Sequence, residues 1–144
     1  MVPGEDPALD DAQRLGVLDR DECIELLTRH RYLGRVALIA EGRPLIFPVN
    51  YIADAESAVF CTAAGTKLDA IGSGAEVSFE IDDHEPLYHS GWSVLVKGRA
   101  NVVTDERELA RLRLGRLRSW VRGARANWIR IDIAEISGRR LPGN

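Results

Sequence analysis

The sequence predicts a mainly β chain, an antiparallel barrel with helices at its periphery. Three observations lead there. About six β-rich segments follow one another, most of them joined by short turns. Three helical segments do not alternate regularly with them, which argues against a doubly wound parallel sheet. No internal repeat, heptad run or low-complexity tract offers another architecture. A length of 144 residues suits one domain. With 45% hydrophobic and 28% charged residues and a formal net charge of −3, the chain can bury a real core and is not disordered as a whole.

Residues 1–17 carry Pro, Gly and acids with little periodicity and read as a flexible N-terminal arm, which leaves residues 18–144 as the domain. Asp19 followed by Glu22 resembles a capping box with an aspartate cap. Behind it Cys23, Ile24, Leu26, Leu27 and His30 keep helical spacing, which predicts a helix over 19–30 with His30 favourably placed at its C-terminal end. From Leu33 the period changes. Leu33–Ala40 is β-rich, Glu41-Gly42-Arg43-Pro44 reads as a tight turn, and Leu45–Ala53 reads as the returning strand. Asp54–Ser57 turns the chain into a short strand, Ala58–Thr62, and Ala63–Ser73 holds a loop and one short helix. Glu76–Ile81 and Trp92–Thr104 are strands, with polar, Pro-containing Asp82–Ser90 between them as an exposed loop. Asp105 caps a helix through about Leu117, with Glu106 and Glu108 in its first turn. Trp128–Ile133 alternates Ile129, Ile131 and Ile133 against Arg130 and Asp132, the pattern of a half-buried strand.

Several function classes are excluded on composition. Apolar runs such as Val36–Ala40 fall far short of the roughly 20 residues a membrane span needs, so no membrane partner is expected. The acidic start, Met1–Asp6, has no apolar core and is no signal peptide. Two cysteines, Cys23 and Cys61, make no disulfide framework and are expected to be reduced, in a cytoplasmic protein. Charge divides unevenly: residues 1–98 carry 8 basic and 17 acidic groups, residues 99–144 carry 11 and 5. Six arginines fall within Arg111–Arg125 with no acid among them. No nucleic-acid motif accompanies them, so they read as a solvated helix face and loop, and no nucleic-acid partner is expected. Asp82-Asp83-His84-Glu85 with His89 matches no metal-ligand spacing, and no metal is expected.

The stretch from Phe60 to Asp69 is the most informative. A strand ends, Gly65 allows a sharp turn, and Thr66-Lys67 opens a short helix. Helix-start N–H groups, a hydroxyl and an ammonium make an anion site suited to phosphate. An ordinary surface turn fits the same residues. Lys67 is one of only two lysines among 19 basic residues, the other being Lys97.

Four motifs in order then carry a resemblance: Glu41–Pro44 with Phe47-Pro48-Val49-Asn50-Tyr51, Gly65-Thr66-Lys67-Leu68, Val77–Asp82, and Gly91–Ala100. From about Asp19 to Leu141 the chain resembles the pyridoxamine 5′-phosphate oxidase-like flavin-binding split barrels, with the nitroimidazole-resistance type as its nearest branch. The resemblance implies a six-stranded antiparallel split β-barrel and a homodimer with flavin mononucleotide (FMN) in two grooves at the subunit interface. By the same resemblance, the backbone of Phe47-Pro48-Val49-Asn50 faces the isoalloxazine ring. Thr62 ends the neighbouring strand, while Thr66 and Lys67, followed by Leu68, hold the phosphate. Trp92 and Ser93 begin the strand that reaches the flavin. Trp128 matches the aromatic that the second subunit lends to the cofactor. Trp92 and Trp128 fit equally as core or interface aromatics, and Asn50 as a polar strand end. The end of the chain, Gly138–Asn144, lacks the arginine and histidine motif that holds substrate phosphate in authentic pyridoxamine phosphate oxidases, so vitamin B6 oxidation is not expected. Relatives also use a deazaflavin or haem, and both stay open as cofactors. The expected activity is a flavin-dependent oxidoreductase acting on a small-molecule substrate. The alternative is a non-catalytic flavin or haem carrier or sensor on the same groove. No catalytic residue announces itself.

Overall fold

The structure, a computed structural model, describes residues 16–30, 33–63, 65–114 and 127–141. Most of the predicted arm and the arginine run beyond Arg113 lie outside the described residues. The elements are β1 (Val17–Leu18), α1 (Arg20–Arg29), β2 (Leu33–Ala40), β3 (Arg43–Ala53), β4 (Ser57–Thr62), α2 (Thr66–Ile71), β5 (Ser73–Glu85), β6 (Ser90–Val102), α3 (Glu106–Leu114) and β7 (Asn127–Leu141). The sheet runs β1-β7-β4-β3-β2-β5-β6, and β6 also pairs with β7. Strands β2 to β7 therefore close a six-stranded antiparallel barrel, and β1 adds to β7 alone. Among the described residues no helix is long and apolar enough to cross a membrane.

Local chemistry explains the joints. Asp19 caps α1, its carboxylate accepting the Glu22 N–H at 2.8 Å. The β2–β3 hairpin turns on Glu41 and Gly42, at φ 52° and 74°. Positive φ at both loop positions matches the right-handed twist of the strands it joins. Pro44, expected in that turn, is instead paired within β3 opposite Ile39. Asp54 accepts the N–H groups of Glu56 and Ser57 at 2.8 Å and so shapes the turn into β4.

Four further sequence expectations are corrected. Asp82–Glu85 is no loop but the far end of β5, paired with β6 down to Glu85 opposite Ser90. Long-range pairing outweighs polar composition there, and Pro86 falls in the hairpin turn beyond it. The strand foreseen over Trp128–Ile133 continues to Leu141, although Ser137-Gly138-Arg139-Arg140 carries no alternation. Val17, foreseen in the arm, pairs with Arg139. The strand foreseen as Trp92–Thr104 runs Ser90–Val102.

The core fills the barrel with Val36, Phe47, Tyr51, Phe60, Phe79, Val94, Val96, Ile129 and Ile131. Against it α1 buries Cys23 and Leu27, and α2 buries Ile71. The Tyr51 hydroxyl lies 2.8 Å from the Leu27 carbonyl and also meets the His30 carbonyl, so it serves the open C-terminal end of α1. Burial pushes that phenol well above its ordinary pKa. A second cluster, Val59, Val103, Leu112 and Trp128, packs α3 on the opposite face of β4. Arg130 of β7 pairs with Glu108 of α3 across the same seam.

Candidate functional site

Two seams of the barrel are short, each paired over three residues: β2 with β5, and β3 with β4. Strands β3 and β4 pair only from Tyr51 opposite Phe60 to Ala53 opposite Ala58. Residues 43–50 of β3 keep β2 on one side and no strand partner among the described residues on the other. Pro44 and Pro48 fall in this stretch, where missing N–H groups cost a ladder least. Strand alternation sends Phe47 and Val49 inward, 5% and 6% exposed, and leaves Pro48 on the outer face. Asn50, half-buried, shares the parity of Pro48.

The phosphate candidates follow the end of β4. The Thr62 hydroxyl lies 3.4 Å from the Ala63 carbonyl, a weak contact. Gly65 has φ 149° with open space around it, so its conformation rather than its packing demands glycine. Thr66 opens α2, its side chain being outside what is described, and Leu68 packs against the main core. At six residues α2 is short, and Lys67 stands in its first turn. Its ammonium sits over the Phe47 ring, 4.4 Å from the centroid. No carboxylate among the described residues pairs with it. Phe47 and Lys67, twenty residues apart in sequence, are thereby brought into contact.

The remaining candidates separate by face. Trp92 packs on the main core and meets the His30 ring edge-on, with centroids 5.4 Å apart. Trp128 is 5% exposed beneath α3, in the packing role that its sequence equally allowed. Ser93 stands opposite Asp82, on the side of β6 away from the buried Val94. Pro48 stands opposite Arg35, and Arg35 opposite Glu80. Pro48 and Ser93 therefore flank one outer patch centred on Arg35.

That patch holds a charge cluster the sequence reading missed. Arg35 donates to Glu80 at 3.3 Å and to Asp82 at 3.1 Å. Burial, and then the neighbouring Asp82 carboxylate, push the Glu80 carboxyl up to about 7 despite the guanidinium. Glu80 and Asp82 at i and i+2 on one strand, opposite an outward Arg35, were the available signal. Beside this patch an open groove of about 710 Å³ runs over β2, β3, β5, β6 and β7, edged by Ile39, Ile46, Lys97, Arg99 and Glu135. It includes none of the cofactor-binding candidates picked out from sequence. The Asp82–His89 run holds no metal-type cluster among the described residues, because alternation sends adjacent ligands to opposite faces.

Comparison with known proteins places this geometry in a class. A family model for pyridoxamine 5′-phosphate oxidase matches residues 19–140. The chain belongs to that family. An uncharacterised Mycobacterium tuberculosis protein, Rv0080, is 34% identical over 148 aligned positions, 98% of this chain and 95% of the relative. A Mycobacterium smegmatis FAD-binding protein is 34% identical and superposes with a TM-score of 0.73 over 88% of this chain and 98% of that one. A Bacteroides thetaiotaomicron protein assigned to 5-nitroimidazole antibiotic resistance shares the fold at 14% identity, with TM-score 0.66 and 89% of each chain covered.

Proposed function

We propose that the chain is a flavin-dependent oxidoreductase that binds FMN through its phosphate and acts on a small-molecule substrate as a homodimer. The observation that carries the reading is the Lys67 ammonium, free of any described carboxylate, over the ring of Phe47, in the part of β3 that lies outside its short pairing with β4. The donor set fits a flavin. A phosphate needs a cation that no acid has neutralised, and the ring heteroatoms need main-chain donors and acceptors that no strand has taken. FAD, named for the Mycobacterium smegmatis relative, contains the same riboflavin phosphate unit. When bound, the flavin supplies hydride or electron transfer, and the protein supplies binding and orientation. Lys67 holds the phosphate, the edge of residues 47–50 orients the ring, and Ser93 with the Arg35 cluster borders the face open to substrate.

Support for the second copy comes from the outer face. Ile39 and Ile46 are 64% and 68% exposed and adjoin Pro44, Pro48 and Ala37 on the β2–β3 hairpin. A contiguous apolar strip of this kind marks an interface, and a second chain over it would cover a flavin lying along β3. The test is an absorption spectrum of the purified protein offered FMN, FAD, a deazaflavin and haem. Uptake of FMN or FAD with a flavin spectrum is expected, and uptake of haem or deazaflavin alone overturns the reading. Sedimentation of the loaded protein should give a dimer; a stable loaded monomer removes the shared groove. Reoxidation after anaerobic reduction distinguishes turnover from carriage.

A further inference from the structure

We infer that the Phe47 side chain is a positioning residue, an aromatic seat that holds the Lys67 ammonium ready for the cofactor phosphate. The inference rests on the flavin reading above and assigns Phe47 a role beyond lending its backbone to the ring.

Lys67 is an exposed side chain on the first turn of a short helix, and left alone it would sample many rotamers. The structure shows it parked on an aromatic face, 4.4 Å above the Phe47 centroid. The seat itself is rigid. Phe47 is 5% exposed, and the Phe60 ring meets it at 6.3 Å and 67°, so the core fixes which face Lys67 finds. The chemistry of the seat matters as much as its position. A carboxylate would orient the ammonium and cancel its charge. A π face attracts the cation through its quadrupole and leaves the full charge for an incoming phosphate. An aliphatic residue at position 47 would fill the same core volume and provide no seat.

Two experiments test this. In the first, Phe47→Leu, Lys67→Ala and the double variant are titrated with FMN and with riboflavin, which lacks the phosphate. Phe47→Leu should weaken FMN roughly threefold to thirtyfold, the span a cation–π contact is worth, and leave riboflavin within about twofold. Lys67→Ala should show the same selectivity, and adding Phe47→Leu to it should cost FMN nothing further. If Lys67→Ala is selective but Phe47→Leu weakens neither ligand, or both equally, the seat is wrong and the flavin reading stands. If Lys67→Ala is not selective, the phosphate reading falls and the seat with it.

The second experiment needs no change at Phe47, so it survives a Phe47→Leu variant that fails to fold. Only Lys67 and Lys97 contribute lysine signals, and Lys97→Arg assigns them by NMR. The Lys67 side-chain methylene protons should be shifted upfield by the Phe47 ring current without cofactor, and should move when FMN binds but not when riboflavin binds. An unshifted Lys67 signal overturns the seat directly.

Discussion

Two seams of the same barrel are built in opposite ways. Strands β6 and β7 pair without a gap in β6 from Gly91 opposite Leu141 to Val102 opposite Ile129. Strands β3 and β4 pair over three residues and then part. The long seam carries a bulge between Lys97 and Gly98, where Ala134 is left over. On its other side β7 continues toward β4, the Ile133 N–H donating to the Glu56 carbonyl at 2.9 Å. The short seam leaves main-chain groups without strand partners and has Lys67 beside it. On the proposed function, the continuous ladder serves stability and the interrupted one serves cofactor binding. A barrel complete on both seams would have no main-chain edge to offer a ring.

Substitutions should separate the two. The largest effect is expected at Gly98, where an added Cβ would meet the Asp132 carbonyl oxygen at 1.7 Å. Backbone cannot yield cheaply there, so Gly98→Val should cost about 3 kcal/mol or more, read as a fall in the denaturant midpoint. A midpoint within error of the parent would show that the long seam is not the stabilising one. Lys67→Ala is the mirror case. It should lower the midpoint by no more than the roughly 0.5–1 kcal/mol of an exposed cation–π contact and lower FMN affinity roughly tenfold to a hundredfold, the worth of a charge-assisted contact of about 1.5–3 kcal/mol. An equal loss for riboflavin would mean general damage to the open seam.

Smaller effects sharpen the contrast. Glu108 and Arg130 join α3 to β7, with side chains 13% and 31% exposed, and Arg130 lies 3.4 Å from the Ser57 hydroxyl. Glu108→Ala should cost about 1–2 kcal/mol, between the values for surface and buried pairs. Chemical denaturation of Glu108→Ala beside Glu108→Gln, which keeps the shape, separates charge from packing. The smallest effect is the pH response of the Arg35 cluster. Folding raises the Glu80 carboxyl from 4.5 to about 7, so the folded state holds that proton more tightly. Its contribution to stability is full below about pH 4.5 and is lost as pH climbs through about 7. Glu80→Gln should flatten the stability profile across that window, measured by melts from pH 4 to pH 8. An unchanged slope would assign the window to other groups.

Much of this contrast was readable in advance. The span of β2 was set by its β-rich run, α1 by an Asp19 cap and helical spacing, and the hairpin turn by Gly42. The strand of Phe47–Asn50 and the turn at Gly65 were picked out by motif, and their contact through Phe47 and Lys67 was not. The Arg35–Glu80–Asp82 cluster escaped notice because its members lie 45 and 47 positions apart, and only strand register makes them neighbours.

The sequence by itself determined what depends on residues a few positions away: the periods, the caps, the turns and the apolar faces. The tertiary structure alone decided how far strands run and where they stop. Val17–Leu18, Asp82–Glu85 and Ala134–Leu141 are strands because β7 and β6 lie beside them with open ladder groups, and no local preference announces it. The parting of β3 from β4 has the same origin in reverse. Hydrogen bonding between strands is a contract with a distant partner, so its presence and its absence are settled only when the barrel closes.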